Sequence, residues 1–199
     1  MTLISLLKKI VNRKSDSIAE HLIKKGNLKV GKNSDISSLY IEILHHMNNC
    51  TNIEIGEDCK LMGSLTVYSD TGKIKIGDRV FIGPDTKLIS YNEVVVEDDV
   101  MISWGCTIMD TNAHSLKSEE RKDDVINWSK GWQYKDWSGV ESQKIIIERK
   151  SWIGFNSIVM KGVKVAEGSV VAAGSVVTKS TEPYTIVGGN PAAFLKKTS

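Results

Sequence analysis

The stretch IIIERKSWIGFNSIVMKGVKVAEGSVVAAGSVV, Ile145 to Val177, decides how this chain folds. An aliphatic side chain returns every six positions, at Ile147, Ile153, Val159, Val165, Val171 and Val177. A second series, Ser151, Ser157, Val163, Ser169 and Ser175, falls four places after each of the first five. Six is not a multiple of the 3.6-residue helical turn, and one long strand would alternate on a period of two. A fixed six-residue beat describes a chain that turns after each short straight segment and lays a new coil on the last.

Outward from this stretch, the beat runs through Val96, Ile102 and Ile108, through Ile76, Ile82 and Leu88, and through Ile55, Leu61 and Val67. It begins weakly at Val30 and Ile36 and breaks over Leu39 to Asn52. Nine residues separate Val67 from Ile76 and eight separate Leu88 from Val96, so extra residues enter at one corner and bulge outward while the straight faces stay in register. Three straight segments per coil give a triangular prism with aliphatic side chains inside. Small residues take the corners: Cys59, Thr86, Cys106, Ser151, Ser157, Ser169 and Ser175. Gly56, Gly77, Gly83 and Gly154 follow the inward aliphatic, where close coil contact favours no side chain. About six coils at the ~4.8 Å strand spacing make a mainly β column of roughly 29 Å.

The expected organisation is an N-terminal helical cap over 1–28, the β-helix over 29–190 with a loop excursion over 114–144, and a C-terminal tail over 191–199. Leu3, Leu6, Leu7, Ile10 and Val11, then Ile18, Ala19, Leu22 and Ile23, recur at helical spacing up to Gly26. These helices cover an open end of the column or meet a neighbouring subunit; a membrane-surface contact through residues 1–14, where Lys8, Lys9, Arg13 and Lys14 cluster, is the alternative. A formal net charge of +2 gives no reason to expect nucleic acid. Three cysteines without CxxC spacing argue against a disulfide framework or a zinc clip, and Cys59 and Cys106 read as small buried hydrophobes. The apolar run Leu3–Leu7 is too short for a signal-peptide core, and no later run spans a bilayer, so a soluble cytoplasmic protein is expected.

Ser151-Trp152-Ile153-Gly154, then Val170 to Lys179, then Val187-Gly188-Gly189-Asn190-Pro191-Ala192 form an ordered set. It resembles the C-terminal signature of the hexapeptide-repeat acyltransferases, in the maltose, galactoside and polysaccharide O-acetyltransferase branch. The resemblance implies a left-handed parallel β-helix, a homotrimer, and acetyl-CoA as co-substrate in the groove between subunits, with no metal. It places Trp152, Phe155, Ala173, Gly174, Thr178 and Lys179 along the coenzyme. Relatives often carry a basic residue after the Asn-Pro-Ala motif; Ala193 stands there in this chain, which moves the expected phosphate contact to Lys196 or Lys197.

The repeat is broken on a large scale between Ile108 and Ile145, and the break opens with Asp110-Thr111-Asn112-Ala113-His114. In the resembled family a histidine at the start of such a loop is the general base, and His114 matches it. A sugar hydroxyl is too weak an acid to ionise near neutral pH, and neutral imidazole is suited to taking its proton as it attacks a thioester. The ring needs a partner to fix its tautomer. Asp110, Asn112 and His114 share a face if the segment stays extended, which favours Asp110; Glu141 or a backbone carbonyl are the alternatives. Trp128, Trp132, Tyr134 and Trp137 lie in the otherwise polar loop, suited either to stacking on a sugar or to anchoring the loop. Trp137, with Asn112, Trp104, Tyr91 and Asn92, is the expected acceptor contact.

The expected activity is acetyl transfer to a saccharide hydroxyl, in bacterial capsule, O-antigen or sialic acid modification. Rivals are an N-acetyltransferase on an amino-sugar nucleotide, an antibiotic acetyltransferase, a zinc hydro-lyase, which would need three clustered histidines, and a non-enzymatic scaffold.

Overall fold

A computed structural model describes residues 18–44 and 50–198. Three stacks of short strands wind into a parallel β-helix. The first face carries β1 (Leu28–Val30), β3 (Ile53–Ile55), β6 (Lys73–Ile76), β9 (Glu93–Val96), β12 (Ile145–Ile147) and β15 (Lys164–Val165). The second carries β4 (Lys60–Leu61), β7 (Phe81–Ile82), β10 (Met101–Ile102), β13 (Trp152–Ile153), β16 (Val170–Val171) and β18 (Thr185–Gly189), with β19 (Ala192–Lys197) added antiparallel to β18. The third carries β2 (Tyr40–Ile43), β5 (Ser64–Val67), β8 (Lys87–Ser90), β11 (Thr107–Met109), β14 (Ile158–Val159) and β17 (Val176–Val177).

The six-residue beat becomes three interior ladders. Ile55, Ile76, Val96, Ile147 and Val165 are register partners up the first face. Leu61, Ile82, Ile102, Ile153, Val171 and Val187 climb the second, and Leu65, Leu88, Ile108, Val159 and Val177 the third, where Leu65 holds the rung expected of Val67 because Val67 pairs with Ser90. All are buried, and together they form one continuous core. The excursion between β11 and β12 does not disturb this stacking, because Ile145 pairs with Val94 and Ile147 with Val96 of the coil beneath.

The corner residues do more than save space. The hydroxyls of Ser151, Ser157 and Ser169 donate to the carbonyls of Ala166, Ala172 and Glu182, at 3.0, 3.1 and 2.8 Å. Thr86 donates to Ser103 O at 2.6 Å and accepts from Cys106 N at 3.1 Å. Each buried turn thereby satisfies backbone groups that no strand partner reaches. Close coil contact at Gly154 is real: a Cβ there would lie 2.6 Å from Ala173 N and 2.7 Å from Val171 O.

Two expectations are adjusted. The stretch Leu39–Asn52 is not wholly irregular, since β2 lies within it and Leu39 and Ile41 are buried. Residues 192–197 are a strand, not a tail. At the other end, a helix described over 18–25 (α1) inserts Leu22 into the core, with Ala19 packed against it. The first of the two expected helices and the basic cluster of residues 1–14 lie outside the described residues, as do His45 and His46. Among the described residues no helix is long and apolar enough to cross a membrane.

Candidate active site

The excursion leaves the prism after Met109 and is zipped at its stem. Gln143 N donates to Asp110 O at 2.8 Å and Asn112 N to Glu141 O at 3.0 Å, around an antiparallel bridge between Thr111 and Ser142. Ala113 then takes a left-handed backbone (φ 60°), which turns the chain and ends the strand-like alternation of side chains. Beyond it, α2 (Ser118–Arg121) and α3 (Asp124–Lys130) pack over the corner, followed by a 3₁₀ turn at Trp132–Tyr134.

His114 sits where this loop meets the prism. Its Nδ1 is 2.5 Å from Asp124 Oδ2. Asp124 and Trp128 are four apart on α3 and therefore share a face; the Trp128 ring meets the imidazole edge-on at 5.8 Å. The ammonium of Lys135 is 2.7 Å from the same Asp124 oxygen and 3.3 Å from His114 Nδ1. Side-chain exposure is 40% for His114, 8% for Asp124 and 1% for Lys135, so a substrate can reach only the first. Burial pushes the Asp124 carboxyl up, but the hydrogen bonds from His114 and Lys135 outweigh it and hold the group below the ordinary carboxylate range. With Nδ1 carrying the proton donated to Asp124, Nε2 keeps a free lone pair.

The structure separates Asp110 from this cluster. Asp110 is fully buried, and its carboxylate accepts Tyr91 N at 2.7 Å, Asn92 N at 2.9 Å and Ser90 Oγ at 2.9 Å. Burial pushes its carboxyl up against those hydrogen bonds. It ties the stem of the loop to the corner after β8, while Asp124 takes the histidine. Asn112 and Asn92 contribute backbone N–H groups to the same tie.

Trp137 stacks on Tyr91 at 4.6 Å and meets Tyr68 at 5.8 Å; Trp132 meets Tyr68 at 4.7 Å and Trp137 at 5.2 Å. This cluster fastens the loop to one prism edge, at Tyr68 and Tyr91 of successive coils, so the anchoring role is visible for Trp132 and Trp137. Trp128, 42% exposed and on the imidazole, is the aromatic that faces the histidine. Sequence reasoning missed Asp124 and Lys135. The signals were faint: an acidic residue four before a tryptophan, and one lysine amid Trp132, Tyr134 and Trp137.

Of the residues expected along the coenzyme, Phe155, Ala173 and Gly174 lie at the corner between the second and third faces, Trp152 lies on the second face, Thr178 and Lys179 follow β17 at the far end of the third face, and Lys196 and Lys197 lie on β19. Phe155 and Trp104 stack at 5.1 Å with planes 3° apart, so Trp104 joins these residues and not Tyr91. Gly174 N donates to Phe155 O at 2.8 Å, and Ala173 and Gly174 are exposed, with nothing within 4 Å of where a Gly174 Cβ would stand. Trp152 Nε1 donates to Ser103 Oγ at 3.1 Å, and Trp152, Val170, Ile186 and Lys196 follow one another in a single outward row. Thr178, Lys179 and Lys197 are exposed. Lys179 borders a cavity of about 320 Å³ under β19, shared with Val177, Thr181, Val187 and Phe194.

Residues 144–179 match the family model described as bacterial transferase hexapeptide (six repeats). Over 144 residues, 72% of this chain and 62% of the relative, the sequence is 28% identical to galactoside O-acetyltransferase of Lactococcus lactis. Over 176 residues, 88% of this chain and 52% of the relative, it is 26% identical to a probable acetyltransferase of Mycobacterium tuberculosis. The chain thus spans about half to three fifths of the length of these relatives. A solved structure of AntD, an N-acyltransferase from Bacillus cereus in complex with dTDP and coenzyme A, superposes with a TM-score of 0.68 and 26% identity, covering 90% of this chain and 89% of that one. With its six-residue ladders and three parallel faces, the chain has the left-handed β-helix fold and carries the bacterial transferase hexapeptide repeat over residues 144–179.

Proposed function

We propose that the chain is an acetyl-CoA-dependent O-acetyltransferase that modifies a saccharide hydroxyl in bacterial surface-polysaccharide synthesis, as a cytoplasmic homotrimer. The observation that carries this reading is the His114–Asp124 contact at the mouth of the excursion: a half-exposed imidazole with Nδ1 committed and Nε2 free. Nε2 takes the proton of the acceptor hydroxyl as its oxygen attacks the thioester carbonyl. The tetrahedral intermediate collapses by breaking the carbon–sulfur bond, and the imidazolium returns its proton to the departing thiolate. Backbone N–H groups hold the oxyanion. The exposed, small-residue corner at Ala173 and Gly174, beside the Trp104–Phe155 stack, suits the pantetheine arm, and Lys196 suits a phosphate.

A trimer is supported by the contrast between faces. The outward row of the second face is apolar between its charged ends, running Lys60, Phe81, Met101, Trp152, Val170, Ile186 and Lys196, whereas that of the first face is more charged, running Lys29, Glu54, Lys75, Val95, Ile146 and Lys164. Exposed Met101 and Trp152 are the kind of surface that a neighbouring subunit covers.

The second reading, acyl transfer to the amine of a nucleotide-linked amino sugar, is favoured by the likeness to AntD over nine tenths of the chain. One experiment tests both: acetyl-CoA consumption across neutral sugars, sialic acids, oligosaccharides and amino-sugar nucleotides, with mass spectrometry of products and hydroxylamine treatment. An ester is cleaved by hydroxylamine and an amide is not. The expected outcome is a hydroxylamine-labile product whose formation falls on the order of 10²-fold or more in His114→Ala, with coenzyme A binding kept. Undiminished turnover in that variant sinks the assignment of His114.

A further inference from the structure

Lys135 is the least expected group near His114. It is a cation at 1% exposure, reached by the sequence only after two helices and a 3₁₀ turn, and it lies against the carboxylate that orients the histidine. A lysine almost never gives up water unless its charge is answered. Here the answer is Asp124 Oδ2 at 2.7 Å, with the Trp137 ring face 5.1 Å and the Trp128 ring 5.9 Å from Nζ. The 3.3 Å approach of Nζ to His114 Nδ1 is not a hydrogen bond in the same state, because Nδ1 already donates to Asp124 and has no lone pair to offer. It is a proximity of charge.

Several other charged groups of the loop have partners of their own, although Asp136 also feels the charges of Asp124 and Lys135. Asp136 accepts Ser138 N at 2.8 Å, Glu120 pairs with Lys117 at 2.7 Å, Arg121 donates to the carbonyls of Ser115 and Leu116, and Glu141 pairs with Lys161 at 3.1 Å. The charges in contact with the imidazole are therefore one carboxylate and one ammonium, summing to zero, with Asp136 the next carboxylate out.

We propose that Lys135 is a positioning residue that neutralises Asp124, so that the carboxylate fixes the tautomer and orientation of His114 without stabilising its protonated form. An uncompensated carboxylate at this distance would favour imidazolium and leave less neutral base at the working pH. With Lys135 in place, the histidine is held like one half of a dyad yet stays free to accept a proton. The inference rests on the reading of His114 as the base only for its consequence in turnover; the electrostatic part stands alone.

The test is an NMR titration of ring-labelled histidine in the full chain, with the His114 signal assigned by its loss in His114→Asn. Lys135→Met should raise the His114 midpoint by about one pH unit or more, and Lys135→Arg should return it towards the parent value. Asp124→Asn should lower it, since the ammonium then faces the ring alone. This opposite shift decides the matter if Lys135→Met loses the loop fold by circular dichroism. An unchanged or lowered midpoint in folded Lys135→Met, or a raised one in Asp124→Asn, overturns the proposal. Undiminished acetyl transfer in His114→Ala would instead overturn the base assignment and leave the titration result standing.

Discussion

Replacing Asp110 distinguishes the two jobs that a carboxylate beside this loop could have. In Asp110→Ala the N–H groups of Tyr91 and Asn92 lose their acceptor, while Ser90, whose Oγ lies 2.9 Å from both of its acceptors, can give its single hydroxyl proton wholly to Lys73 O. Two stranded donors at about 1–3 kcal/mol each give roughly 2–6 kcal/mol. Asn92 is exposed, so water reaches its N–H, and the expected loss settles at about 2–4 kcal/mol. Asp110→Asn keeps one acceptor oxygen for Tyr91 but turns an amide NH₂ towards the other donors. Because burial already disfavours the charged carboxyl, losing the charge is not itself the cost, and about 1–2 kcal/mol is expected. Urea unfolding followed by tryptophan fluorescence measures both, with acetyl transfer per folded molecule measured alongside. The reasoning fails if Asp110→Ala unfolds at the parent midpoint. It also fails if Asp110→Asn keeps full stability yet loses as much turnover as His114→Ala, which would return Asp110 to the histidine.

Asp124 has a folded pKa held below its unfolded value of ~3.9, so its stabilising contribution is present above that value and is lost as pH falls through the lower folded one; Asp124→Asn should flatten the decline of urea midpoints measured between pH 5 and pH 2. A slope identical to the parent's would refute it. Ile147→Ala, at a fully buried rung of the first interior ladder, should cost about 2–5 kcal/mol in the same unfolding assay. Ala173→Trp should leave the melting temperature within a few degrees of the parent's, since the side chain is exposed, and weaken coenzyme A binding by about tenfold or more in calorimetry.

The prism was legible because one physical constraint, an aliphatic residue at the middle of every face, repeats often enough to be read without any partner known. Even the corner serines and the glycines at close coil contacts followed from it. The site was legible only as far as the repeat could point. Its interruption located His114, but the partner of His114 depended on whether alternation continued from Asp110 through Asn112. The left-handed turn at Ala113 stops that alternation, sending Asp110 inward to Tyr91 and Asn92 and His114 outward to α3. An alanine gives no advance notice of such a conformation. Asp124 and Lys135 come from separate short elements of the loop, and their meeting reflects tertiary packing on Trp128 and Trp137 with no periodic trace. Adjacency in sequence groups Trp104 with Tyr91 and Asn92, although the corner it occupies is a different edge of the prism from that of Tyr91.

The unbroken register between β9 and β12 has a consequence for how such a protein can change. The strands on either side of the excursion stack as they would if a tight turn joined them, and its two ends already lie side by side at Thr111 and Ser142. The loop is a detachable branch on a continuous stem, and neither its length nor its internal fold alters the spacing of the rungs. The loop can therefore be rebuilt while the corner at Ala173 and Gly174 keeps its geometry. On the proposed function, substrate choice and carrier use become separately variable within one chain.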